Sequence, residues 1–230
     1  MVNKYTIRIN NNTGSTQNYN LVADKPEVTG TSSSNVWTNV YQVGEGCPDG
    51  GQTEFEIWKT YYGIVGSWRG SPKEGTKVQI AQTRPVTLGT LSDDGSQNPG
   101  TTLNMVVIFE RTVSFDKSPA PQSAFINAFE IDTGHDFTLQ TATENNFFVG
   151  LAGSPDGGST VPIATFRPEP GNQYQIKPSN AFYLSSGQGL QVGQLVDVAR
   201  MRNPLRIDFA NSAPNITINH APNGQLVVAK

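Results

Sequence analysis

Cysteine and histidine are nearly missing from this chain of 230 residues, and their scarcity excludes several chemistries. Cys47 is the only cysteine, so no internal disulfide can form. It stands in the turn-forming run Gly46-Cys47-Pro48-Asp49-Gly50-Gly51, where nothing nearby supplies the base or positive charge that a catalytic thiolate needs. The two histidines, His135 and His220, are too few for a three-histidine metal site. Charge is sparse as well. Formal net charge is −3, only 15% of residues are charged, and no basic run could track a phosphate backbone. Nucleic acid is therefore not an expected partner. No apolar run reaches the length of a membrane span, so no transmembrane segment is expected. The opening residues Met1-Val2-Asn3-Lys4-Tyr5-Thr6 enter a strand pattern at once and lack the apolar core of a signal peptide. Two compartments stay open: the cytoplasm, or the exterior after removal of a leader. Asn11-Asn12-Thr13 and Asn215-Ile216-Thr217 are glycosylation tripeptides, in a number that chance supplies in a chain rich in Asn and Thr.

What the chain does have is an internal repeat. Residues Gly70–Pro85 and Gly153–Pro168 match at nine of sixteen positions without a gap. Each copy opens on Gly-Ser-Pro-x-x-Gly, in which proline presets the first turn corner and glycine can take a positive φ. Val-x-Ile-Ala follows with period two, and Arg-Pro stops the strand because proline has no N–H for the ladder. Aromatic pairs lead into each copy, at Tyr61-Tyr62 and Phe147-Phe148, and further back stand Phe55-Glu56-Ile57 and Phe129-Glu130-Ile131. The pattern predicts two related β units, residues 1–117 and 123–230, divided at the Ser/Pro-rich stretch Ser118–Gln122 and packed as one domain or two closely joined ones.

Short alternating segments punctuated by Gly and Pro fill the rest of the chain. They predict an all-β fold of the β-sandwich or jelly-roll kind. Its length suffices to bury about 70–75% of the unfolded surface. Tyr5–Ile9 and Asn18–Ala23 read as a hairpin, and Val36–Val43 and Glu54–Tyr62 as strands. Leu91–Thr102 reads as the longest plain loop. Met105–Phe109 is a continuous apolar run suited to a strand buried on both faces. Phe125–Asp132 reads as a strand, Val196–Arg202 as the one place for a helical turn, and Asn223-Gly224 as a hairpin turn with both corners at positive φ.

Several clusters invite a chemical reading. Asp132-Thr133-Gly134 follows an apolar strand, as a nucleophilic aspartate would, but the matching place in the first unit holds Trp58-Lys59-Thr60 and no second acid. Glu130, Asp132, His135 and Asp136 form the densest ionisable group, suited to an oxygen-rich divalent metal site or to a solvated strand end. Asp49-Gly50-Gly51, Asp93-Asp94-Gly95 and Asp156-Gly157-Gly158 read as tight turns. Arg84 and Arg167, the repeated charges, are either structural or anion-binding.

The aromatics carry most of the functional signal. By strand alternation Trp58 and Tyr62 share the polar side of their strand with Glu54 and Glu56, and Trp37 shares a face with Tyr41. An aromatic among acids and amides can stack on the apolar face of a sugar while its neighbours bond the hydroxyls, and exposed apolar patches mark binding sites. The sequence thus points to a non-catalytic module for a carbohydrate or other small polar ligand, with Trp37, Tyr41, Glu56, Trp58 and Tyr62 as the site. The alternatives are an enzyme built on Glu130, Asp132 and His135, with or without a metal, and a structural or membrane-active assembly protein. No cofactor is expected, and homo-oligomer formation stays open.

Overall fold

The computed structural model describes residues 4–187 and 189–229. Residues 1–3, which the sequence pattern takes into the first strand, lie outside the described residues. In chain order the strands of the first half are β1 (Lys4–Asn11), β2 (Gln17–Ala23), β3 (Glu27–Val28), β4 (Trp37–Cys47), β5 (Gln52–Trp68), β6 (Val78–Val86), β7 (Thr90–Leu91), β8 (Gln97–Asn98), β9 (Thr102–Ile108) and β10 (Thr112–Phe115). The second half holds β11 (Phe129–Thr133), the helix α1 (Leu139–Glu144), β12 (Phe147–Ser154), β13 (Val161–Phe166), β14 (Gln173–Lys177), β15 (Ala181–Ser186), β16 (Leu195–Val196), β17 (Leu205–Asp208), β18 (Asn215–His220) and β19 (Leu226–Val228). Among the described residues no helix is long and apolar enough to cross a membrane.

The fold is nearly all β. A twelve-stranded sheet follows the path β17-β15-β2-β4-β13-β12-β5-β1-β18-β19, with β16 on β4 and β6 on β5, and curls into a nearly closed barrel-like wall. A five-stranded sheet, β10-β9-β11-β14-β3, packs beside it. Both sheets send side chains into one core, with Ile7, Leu21 and Val149 from the large sheet meeting Met105, Phe129 and Tyr174 from the small one. Each such side chain contributes about 1.5–3 kcal/mol on burial, so this shared interior dominates the stability.

Strand β5 is the axis of the arrangement. Its first half pairs with β1 and its second half with β6, both along one edge, while β12 runs down the other. Trp58 marks the change, with Lys4 opposite on one side and Ser154 on the other. Strands from the two halves of the chain alternate in pairs along the large sheet, so that β1 lies beside β18, β2 beside β15, and β4 beside β13.

Several expectations are corrected. β1 and β2 do not form a hairpin with each other. β1 pairs with β5 and β18, and β2 with β4 and β15. Alternation fixes which side chains point inward but not which strand lies alongside, and Tyr5, Ile7, Ile9, Tyr19 and Leu21 all reach the same core. The run Met105–Phe109 is not buried on both faces. Met105 is buried, Ile108 is exposed, and Phe109 forms with Glu110 a turn in which both residues have positive φ. Phe125 is exposed outside the strand, which begins at Phe129. A helix forms at Leu139–Glu144, where none was expected, capped by the Thr138 hydroxyl accepting from the Thr141 N–H. The expected helical turn narrows to a single 3₁₀ turn at Val198–Arg200. Part of the expected plain loop pairs as the β7–β8 ribbon. At the last turn only Gly224 takes a positive φ, because Pro222 occupies the first corner.

Candidate ligand-binding site

The outer face of the large sheet carries two further apolar clusters. One gathers Ile64, Trp68, Phe148, Ala152 and Leu195, with Trp37 and Tyr62 packed against it. The other gathers Val22, Val40 and Val196. The chain around residues 193–199 lies over both and is tied down by a buried polar relay. The Trp68 Nε1–H donates to Thr165 (3.3 Å), the Thr165 hydroxyl donates to Asn39 (3.3 Å), and the Asn39 amide donates to the Gly193 carbonyl (3.0 Å). The Thr38 hydroxyl donates to the Val196 carbonyl at 2.7 Å. Satisfied buried networks of this kind rigidify what they join.

Beside this strap opens a cavity of about 500 Å³. Trp37 and Tyr183 line it, with Asp24, Lys25, Ser34 and Asp197 among the polar groups. Both rings are half-buried. Tyr183 points outward because its neighbours Phe182 and Leu184 point into the core. Arg206 bonds Asp24 at 3.2 Å and Asp208 at 3.3 Å, and the Tyr183 hydroxyl also bonds it, which holds its guanidinium firmly protonated. Asp197 accepts from the Ala199 N–H at 3.1 Å and so fixes the 3₁₀ turn that forms the cavity wall. The size matches small-molecule sites, which combine apolar walls with a few convergent polar groups.

The five residues expected from sequence are dispersed. Trp37 lines this cavity. Tyr41 is 1% exposed and belongs to the core, so it is not a surface aromatic. The reason is a slip in register: Leu21 faces Gln42 but Val22 faces Val40, so Tyr41 is an extra residue and the alternation changes face beyond it. Its hydroxyl has no hydrogen-bond partner among the described residues, and burial raises its pKa far above the phenol range. Glu56 pairs with Lys4 at 2.5 Å and accepts from the Trp58 Nε1–H at 3.2 Å, and these bonds, Lys4 first, hold its carboxyl below the usual range. Trp58 lies under Gly157, with the Lys4 ammonium 5.3 Å from the ring centroid. Tyr62 packs onto the outer apolar cluster.

The ionisable group at β11 separates into different duties. Glu130 is 3% exposed and accepts from Ser123 (2.5 Å), Thr102 (3.3 Å) and Gln175. Asp132 sits next to it on the same face, and burial, then the neighbouring Glu130, pushes its carboxyl up to about 6. His135 packs instead against Gly171, where an added Cβ would fall 2.4 Å from the ring, and Asp136 accepts from the Val107 N–H at 2.6 Å. Among the described residues no three His, Cys, Asp or Glu side chains gather closely enough to hold a metal ion. Of the two repeated arginines, Arg167 lies 5.7 Å from the Trp68 ring with a buried Nε that has no partner among the described residues, and Arg84 stands opposite Gly63 in the β5–β6 pair.

Sequence reasoning missed Tyr183, Asp24 and Asp197. The outward phase of Tyr183 between two inward residues was a usable signal, whereas the meeting of positions 24, 37, 183 and 197 depends on strand order. The chain matches no protein-family model, no curated protein and no solved structure.

Proposed function

We propose that this protein is a non-catalytic binding module for a neutral carbohydrate or similar polyhydroxylated ligand, held in the cavity of Trp37 and Tyr183. The observation that carries this reading is the company those two half-buried rings keep: a cavity of about 500 Å³ with the carboxylates of Asp24 and Asp197 and the ammonium of Lys25 among its lining groups. A pyranose presents an apolar C–H face and a rim of hydroxyls. The indole face takes the first, and the carboxylates and the Lys25 ammonium bond the second. Because the strap at 193–199 is already fixed by the Asn39 and Thr38 bonds, the wall costs little to order on binding.

Two sheets sharing one core support a sandwich-like reading of the architecture. The β5–β6 and β12–β13 hairpins lie side by side, joined antiparallel about the Ile64–Gly150 pair, and this supports a duplicated origin for the two halves.

The test is a glycan array followed by titration of the best neutral sugar. Trp37→Ala and Tyr183→Ala are expected to weaken binding by about tenfold or more, roughly 1.4 kcal/mol, while Trp58→Ala binds as the parent does. Unchanged binding by a folded Trp37→Ala protein contradicts the assignment.

A further inference from the structure

A second cavity, of about 260 Å³, lies where the β1–β2 link, the end of β15 and the β18–β19 turn meet. Although Asp and Glu outnumber Lys and Arg by 19 to 16 in the chain, none of the described residues lining this cavity is acidic. Arg202 lines it, together with Asn203, Gln17, Asn223, Ser186 and His220. The arginines nearest in sequence are engaged: Arg200 pairs with Glu74 and Asp197, and Arg206 with Asp24 and Asp208. Arg202 and Asn203, by contrast, make no side-chain hydrogen bond or ion pair with any described residue.

The back wall is fixed. His220 is 2% exposed, its Nδ1 lies 3.0 Å from the Tyr19 hydroxyl, and its Nε2 lies 3.5 Å from the Ser186 hydroxyl. Burial lowers the His220 pKa, so the ring is a neutral polar group at neutral pH and Arg202 supplies the charge. A guanidinium offers a planar fork of donors that matches an oxyanion. The volume is too small for a drug-sized molecule and suits one charged group. An adjoining cavity of about 340 Å³ shares Ser186, Gly187 and Arg202 with it, and gives room for the remainder of a larger ligand.

We infer that this cavity is a second binding site, specific for an oxyanion group such as a sulfate or phosphate, with Arg202 as its charged donor and the Asn203 amide and the hydroxyls around it as neutral donors. It does not rest on the aromatic cavity. Calorimetric titration at low salt with inorganic phosphate, glucose 6-phosphate, glucose 6-sulfate and glucose tests it. The anions are expected to bind and glucose not to bind here. Arg202→Gln should weaken anion binding at least tenfold, Arg202→Lys should restore part of it, and Trp37→Ala should leave it unchanged. If inorganic phosphate binds as well as the sugar esters, the site takes a free anion. If the esters bind more tightly, it takes an anionic sugar. The assignment is overturned if no anion binds the parent protein, or if Arg202→Gln, with the parent's thermal unfolding midpoint, binds anions as the parent does.

Discussion

Gly70–Pro85 and Gly153–Pro168 share nine of sixteen residues, yet they occupy unlike surroundings. Each forms the turn and second strand of a β-hairpin, β5–β6 in one case and β12–β13 in the other. Both hairpins slip register once, and in both a glycine of the first strand (Gly66, Gly150) leaves so little room that an added Cβ would fall 2.1 Å from a carbonyl oxygen opposite. The local grammar is the same. What differs is the neighbour. β13 has β4 on its far side and is buried almost throughout, while β6, among the described residues, is paired in the large sheet only with β5 and alternates between half-buried and exposed. Ile163 is 6% exposed in the core, whereas its counterpart Ile80 only packs against the outer cluster.

The turns diverge in the same way. Asp156 accepts from the Gly158 and Ser159 N–H groups and from the Ser159 and Ser154 hydroxyls, which holds its carboxyl down at about 2. The corresponding residue of the first copy is Lys73, whose side chain cannot accept. There Thr76 takes over, its hydroxyl receiving the Lys73 N–H at 3.3 Å and donating to the Ser71 carbonyl at 3.1 Å. A similar turn is thus closed by different polar groups, and a sequence match fixes the bend without fixing its energetics.

Matched substitutions sharpen this contrast. Ile163→Ala should cost about 2–5 kcal/mol in denaturant unfolding, as core truncations do, and Ile80→Ala about 1 kcal/mol. Equal losses would break the distinction between interior and edge copies. A smaller effect is expected at the turns. The Asp156 pKa is depressed in the folded state, so its contribution is present above the ordinary carboxylate value of 3.8 and fades as pH falls towards 2. Asp156→Ala should therefore lower the unfolding midpoint at neutral pH, by an amount that shrinks through that acid window, while Lys73→Ala should leave the midpoint unchanged at every pH. A pH-independent loss for Asp156→Ala would show that the turn does not depend on the carboxylate.

Much of the strand content was legible, and the reason is local. Alternation in Tyr5–Ile9 and Phe55–Ile57 fixed which residues face the core. Pairing was not legible, because β1 meets β18 some two hundred residues away, and no local pattern encodes that choice. The candidate site suffered for the same reason. Trp37 was found from its type and setting, and Tyr41 was misplaced by a single extra residue in β4 that composition cannot reveal. Tyr183 and Asp197 reach the cavity only through β15 pairing with β2 and the strap crossing β4. The helix α1 was hidden by its threonines, which read as strand formers until Thr138 acts as a cap.

The chain holds three tryptophans, and the structure gives each a different setting: Trp37 in the cavity, Trp58 bonded to Glu56, and Trp68 buried against Thr165. Their three indole N–H signals make nitrogen-edited NMR during titration with the bound sugar the most direct test of the binding account. The Trp37 signal should move furthest and saturate with the sugar, with the Trp58 signal still. Movement of Trp58 with a stationary Trp37 would contradict it.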